Sequence, residues 1–309
     1  MDRNRLIRDI TPTRTQAGGN GLRLTASVVA GELARLTPRD RLILDLLDQH
    51  QTLTTDQLVD VAFGSVGRAR NRLNTLYGRD ILDRFRHYQR PGSQAWRWTL
   101  GPVGAAIVAA GNGAPLPRPA AVRDGTARLA MSPTLAHLVT VNGFFVALTA
   151  HTHTHPGTRL ARWWNEARCR EACGNLVRPD GHGVWAAAGR VAPFWLEADL
   201  GTEPLRRVAG KLTGYAALPP RRAYPVLFWL TSTAREANLH AHLSRSGVPD
   251  GVTVATATGD HTARAADGPA GAVWRVVDRS GRVSLAYLGA PGAASSADLP
   301  ADGGAPWDG

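Results

Sequence analysis

The sequence predicts an α+β protein of two domains: a winged helix-turn-helix followed by a mixed α/β domain. Three observations predict it. Between residues 36 and 111, three segments with helical periodicity and N-capping residues precede an alternating hairpin. Residues 112–130 are rich in Pro, Gly and Ala and carry no period, a linker composition. Residues 131–289 read helix, three strands, helix, strand, helix, strand. At 309 residues with 43% apolar side chains, the chain can supply each domain with its own core.

Residues 1–35 carry Arg3, Arg5, Arg8, Arg14 and Arg23 around "QAGGNG" and read as a basic flexible arm. Charges run through "MDRNRLIRDI", so it is neither a secretory signal nor a membrane anchor, and a cytoplasmic protein is expected. In "LTPRDRLILDLLDQH", Thr37 caps and Pro38 opens a helix whose Leu42, Leu44, Leu46 and Leu47 crowd one side. "TLTTDQLVDVAF" follows with Thr54 or Thr55 as cap, then "GSVGRARNRLNTLYGRD" with Ser65 as cap. In this third helix Val66, Ala69, Leu73 and Leu76 form the buried stripe, leaving Arg68, Arg70, Asn71, Arg72 and Asn74 to cover the rest. "ILDRFRHYQ", the turn "RPGS" and "QAWRWTL" make the wing, with Arg84, Arg86, Arg90 and Arg97.

Arginine and asparagine on an outward helix face can make paired hydrogen bonds to guanine and adenine edges, while a basic hairpin beside it can follow phosphates. A net charge of +11 adds a general attraction for polyanions. Nearly all of that charge is arginine, which a GC-rich coding sequence also produces, so placement counts for more than abundance. The placement predicts double-stranded DNA as partner; the alternative is a solvated helix face on a protein-binding module.

In the second half, "LVTVNGFFVALTA" is too short to span a bilayer and reads as a buried helix, so no membrane partner is expected. Cys169 and Cys173 are expected as free thiols. A zinc site from these cysteines and His151, His153 and His155 can be drawn, but the spacing of paired zinc ligands is missing and "HTHTH" reads as a polar loop. The tail 290–309 is low-complexity and expected to be disordered.

Chemistry concentrates in "RPDGHGVWAAAGRVAPFWLEADLGTEPLRRVAGKLTGY", residues 178–215. A hairpin turn at Ala188-Gly189 sets Asp180 opposite Glu197, and a turn at Gly189-Arg190 sets it opposite Asp199. Glu197 and Asp199, two apart, share a face. Phe194, Trp195, Leu196 and Leu200 mark the strand as buried, where unpaired carboxylates are costly and call for a cation. Mg2+ on Asp180 and Glu197 meets that need, with Asp199 or Glu166 assisting and Lys211, the only lysine of the chain, approaching from the next helix. The competing arrangement leaves Asp180 as a turn residue, Glu197 and Asp199 paired with Arg206 and Arg207, and Lys211 in solvent.

This order of elements, with "PD" opening the second strand and an acidic pair on the third, resembles the PD-(D/E)xK nuclease superfamily and its restriction-endonuclease-like fold. That pattern places a lysine two residues after the acidic one; here Asp199 stands there, and Lys211 is the candidate replacement. "LTPRDRLILDLLDQHQTLTTDQL", "RNRLNTLYGRDILDRF", "WWNEARC", "VRPDGHG", "LEADLGTE" and "KLTGYAAL" together resemble the replication-relaxation family of actinobacterial plasmids and integrative elements, over residues 36–245. The resemblance implies a role in plasmid replication or mobilisation, with replication or transfer proteins as partners. The expectation is a DNA-binding protein with a Mg2+-dependent nicking or cleaving domain; the alternative is a non-enzymatic winged-helix regulator whose nuclease-like domain is inactive. Tyr215 could attach DNA covalently, but its place in the helix stripe marks it for packing.

Overall fold

The computed structural model describes residues 10–11, 24–88, 94–262 and 265–291. The protein is a mixed α+β chain with two sheets among the described residues, divided into two compact units, Met1–Asn142 and Gly143–Gly309.

In unit 1, strands β1 (Ile10–Thr11), β2 (Leu53–Thr54), β3 (Leu82–His87) and β4 (Arg97–Leu100) form an antiparallel sheet in the order β1-β3-β4-β2. Around it lie α1 (Ala26–Leu33), α2 (Pro38–His50), α3 (Thr55–Ala62), α4 (Val66–Gly78), α5 (Pro102–Gly111) and α6 (Pro119–Ala130). Reciprocal caps start α2, where Thr37 and Asp40 exchange hydrogen bonds, and α3, where Thr54 and Gln57 do. Ile43, Leu44, Leu47, Leu53, Leu58, Leu73, Leu76, Phe85 and Trp98 fill the core. Ile43 takes the inward position expected of Leu42. Val66 is 44% exposed: at the first position of α4 it lies beyond the stripe, which begins at Ala69.

The linker expected over 112–130 is α6 for most of its length. Pro119 suits a first-turn position, where no amide hydrogen bond is lost. Small side chains then let the helix pack closely: Ala130 and Thr126 are buried, and the Thr126 hydroxyl lies 3.2 Å from that of Thr99. The division between units therefore falls after Asn142, inside α7 (Leu135–Thr154), and not at 112–130. Part of the expected basic arm is likewise ordered as β1 and α1, the latter capped by Thr25; Arg3, Arg5, Arg8, Arg14 and Arg23 lie outside the described residues.

At 20 residues α7 is, by length and composition, long and apolar enough to cross a membrane, which the shorter apolar run was not expected to be. In this fold part of it packs into the core. Val141, Phe144, Phe145 and Leu148 are buried, and the Asn142 amide donates to the backbone oxygens of His50 (3.1 Å) and Thr52 (2.8 Å) within unit 1.

Unit 2 contains β5 (Arg159–Asn165), α8 (Glu166–Cys173), β6 (Gly181–Ala187), β7 (Arg190–Asp199), α9 (Leu205–Gly210), α10 (Leu212–Ala216), β8 (Val226–Leu230), α11 (Thr233–Ser246), β9 (Val254–Thr258), α12 (Gly259–Thr262), β10 (Arg275–Val276) and β11 (Ala290–Pro291). The sheet order is β10-β9-β8-β7-β6-β5. Strands β5, β6 and β7 are antiparallel, and β7, β8 and β9 are parallel. The single helix expected after the third strand is broken at Lys211 into α9 and α10. The tail expected to be disordered starts as β11, paired with Arg190 and Val191; residues 292–309 lie outside the described residues.

The β6–β7 hairpin turns at Ala188-Gly189, both with left-handed φ (51° and 68°), as a two-residue turn of the favoured twist requires. Ala187 pairs with Arg190 and Gly181 with Leu196, which sets Asp180 opposite Glu197. One sheet face packs Trp195, Val226 and Phe228 against Val208, Leu212, Tyr215, Leu239 and Leu243. On the other, the Phe145 ring stacks on Trp163 (5.2 Å) and Phe194 (6.1 Å). Gly183 makes room for this stack: a Cβ there would lie 2.3 Å from Phe194 and 2.9 Å from Phe145. Cys169 and Cys173 are buried free thiols.

Candidate functional site

The strand register brings the carboxylates of unit 2 together. Asp180, just before β6, donates its N–H to the Leu196 oxygen (3.0 Å) and accepts the Ala198 N–H on Oδ2 (2.8 Å). Glu197 is buried opposite it. Its Oε2 accepts from Lys211 Nζ at 2.6 Å and its Oε1 from the Tyr215 hydroxyl at 2.5 Å. The break between α9 and α10 puts Lys211 at the junction, where it also lies 3.9 Å from Glu203 Oε2.

Burial and the charge of Asp180 push the Glu197 carboxyl up to about 7, against the opposing pull of Lys211 and Tyr215. Burial lowers the Lys211 ammonium, but the Glu197 and Asp180 carboxylates outweigh it and the net shift is upward. Burial, then Glu197, raises the Tyr215 phenol well above its ordinary value, so it stays a hydrogen-bond donor. Cys169 lies within reach of the Asp180, Glu166 and Glu197 charges; burial above all pushes its thiol up, which makes it a poor nucleophile.

Of the five residues expected to act together, Asp180, Glu197 and Lys211 converge. Asp199 shares the face of Glu197 but is held elsewhere: Arg235 of α11 donates Nε to its Oδ2 at 2.8 Å, and the Gly201 N–H donates to Oδ1 at 2.7 Å. Glu166 is exposed at the first position of α8. Arg206 and Arg207, the alternative counter-ions, do not fill that role: both are exposed, and Arg207 lies 3.9 Å from Glu203. One residue of this network, Arg235, escaped the sequence reading, as did the role of another, Tyr215. Tyr215 is both part of the helix stripe and a donor to Glu197, and Arg235 stands 36 residues from Asp199 with no local signal connecting them.

In unit 1, Arg68, Arg70, Asn71 and Asn74 are exposed along α4. Arg72 is not part of that surface. It turns back to the fully buried Asp40, donating Nε to Oδ1 at 2.8 Å, because a desolvated carboxylate needs a fixed counter-ion. Burial raises the Asp40 carboxyl, but the Arg72 and Thr37 hydrogen bonds prevail and hold it below its ordinary value. From β3, Arg84 donates to Asn74 Oδ1 (2.7 Å) and lies over the rings of Trp96 (4.2 Å) and Tyr77 (4.5 Å); Arg86 lies over Trp96 at 4.2 Å. Arg70, Asn74, Arg84, Arg86 and Trp96 thus line one cleft of about 370 Å³. Trp96 also escaped the sequence reading, although its place next to Arg97 in the wing could have marked it. His87 belongs to the opposite strand face, with Nε2 at 2.9 Å from the Ala130 oxygen, and Arg90 lies outside the described residues.

No curated protein and no solved structure matches the chain. A family model described as replication-relaxation matches residues 44–224, more than half of the 309 residues, from within α2 to the loop before β8. That span includes the exposed row of α4 as well as Asp180, Glu197 and Lys211. The chain belongs to the replication-relaxation family.

Proposed function

We propose that the protein binds double-stranded DNA in the replication of a plasmid or integrative element, using α2–α4 and the β3–β4 hairpin as a winged helix. The observation that carries this reading is the outward row Arg68, Arg70, Asn71 and Asn74, continued by Arg84 and Arg86 in one cleft. These side chains supply paired donors for base edges and guanidinium groups for phosphates. Family membership supports a replication role. The test is a gel shift with the full chain on duplex DNA: the wild type retards the duplex and an Arg70→Ala/Asn71→Ala variant, substituted only at exposed positions, does not.

A second reading adds hydrolysis, and the convergence of Asp180, Glu197 and Lys211 favours it. The sheet of unit 2, with three antiparallel strands followed by helices and a parallel strand, is consistent with a PD-(D/E)xK-like domain. The donors fit Mg2+: each Glu197 oxygen carries one hydrogen bond and keeps a second lone pair, and the Asp180 carboxylate stands beside it. Asp180 and Glu197 would hold the ion, which would supply Lewis acidity at a scissile phosphate. Lys211 would hold negative charge beside it, and Tyr215 would orient Glu197. In the non-enzymatic alternative, the same network is a closed ion pair that only shapes the domain.

Supercoiled plasmid incubated with the protein and Mg2+ separates the two. Nicking that is lost with EDTA and in Asp180→Ala supports hydrolysis; retention of the plasmid without nicking supports the accessory role.

A further inference from the structure

We propose that His151, His155 and Asp267 form a binding site for a divalent transition-metal ion of the zinc class, separate from the Asp180–Glu197 pair. His151 and His155 stand four residues apart at the C-terminal end of α7, so their rings fall on one side; the ring centroids are 3.7 Å apart. Asp267 comes from a distant segment, between α12 and β10. One donor atom from each of the three lies within 4.8 Å of the other two.

The His155 ring is already oriented for a ligand role. Its Nδ1 lies 2.9 Å from the Thr154 hydroxyl and 3.1 Å from the His151 backbone oxygen, and an Nδ1–H donated to either oxygen leaves the lone pair on Nε2. Nε2 faces Asp267 Oδ1 at 3.4 Å, which is long for a hydrogen bond. It is an ion-pair distance when the imidazole is protonated, and it also matches the ligand-to-ligand spacing of a tetrahedral ion, in which bonds of about 2.0–2.1 Å subtend an edge of about 3.4 Å. The His151 ring lies stacked on that of His155, with a ligand nitrogen within 4.8 Å of the other two donors. The Trp185 ring, 5.7 Å from His151, walls the inner side.

Ligand chemistry selects the ion. Two imidazoles and one carboxylate suit zinc and the late first-row metals, whereas Mg2+ and Ca2+ prefer oxygen alone. Three protein ligands leave a fourth position for water or another small donor. The bound ion would tie the end of α7 to the 265–270 segment. His153, between the two ligands in sequence, is exposed and lies outside this cluster.

The test uses the full chain, stripped with EDTA and dialysed, titrated with Zn2+ by calorimetry and with Co2+ by visible absorption. One equivalent of Zn2+ should bind, and Co2+ should give the visible bands of a four- or five-coordinate site. His155→Ala and Asp267→Asn, both on accessible side chains, should each weaken Zn2+ binding at least about tenfold, and His153→Ala should leave it unchanged. Far-UV circular dichroism of each variant checks that it is folded. Absence of stoichiometric Zn2+ binding by the wild type, or unchanged binding in folded His155→Ala and Asp267→Asn, would overturn the proposal.

Discussion

Glu197 shows how one buried side chain ties stability to pH. Its carboxyl rises from 4.5 to about 7 in the fold, so the protonated form is the one the fold favours. Its stabilising contribution is therefore complete below pH 4.5 and is lost as pH rises through 7. Glu197→Gln removes this titration, so urea unfolding of wild type and variant should diverge between about pH 5 and about pH 8, with the wild type losing roughly 2–3 kcal/mol more than the variant. Asp40 has the opposite sign. Held low by Arg72 and Thr37, it contributes stability above its ordinary 3.8 that is lost on further acidification. Asp40→Ala strands Arg72 half-buried and removes a cap, and thermal unfolding at neutral pH should place it about 3–5 kcal/mol below wild type. The exposed-looking periodicity of α4 made Arg72 read as a DNA contact, because the periodicity of a helix says nothing of a carboxylate 32 residues earlier.

At the scale of elements, the hairpin β6–β7 was legible for a physical reason. Alternating strands around Gly189 left two turns open, and the one found, Ala188-Gly189, puts glycine at one left-handed position, Ala188 at the other, and Asp180 opposite Glu197. Gly183 within it is a packing requirement: Gly183→Val would drive a side chain into the Phe145–Phe194 stack, and a chemical denaturation curve should show a loss of about 1–3 kcal/mol or more. Element α6 was not legible, since "PAAVRDGTARLA" offers small residues in place of an apolar stripe and reads as linker until the sheet it packs on is known. The break at Lys211 was hidden similarly, because the stripe Leu205, Val208, Leu212, Tyr215 continues across it. Short closing strands such as β10 and β11, two residues each, carry too little pattern to be found without their partners.

For the whole molecule, the sequence yields the α+β class, two units and the family, while the division between the units lies about a dozen residues beyond the expected linker because α7 is continuous across it. A net charge of +11 favours polyanions everywhere on the surface, so binding alone does not identify the α4 face. The dependence of affinity on salt does, because each phosphate contact contributes its own share of released counter-ions. The decisive measurement is fluorescence anisotropy of a labelled duplex titrated with the full chain from about 50 to about 200 mM salt, for wild type and for Arg68→Ala/Arg70→Ala. The account predicts log-linear weakening for the wild type and, in the variant, weaker binding with a slope shallower by roughly two phosphate contacts. Equal affinity and equal slope in the two proteins, or no duplex binding at low salt, would contradict it.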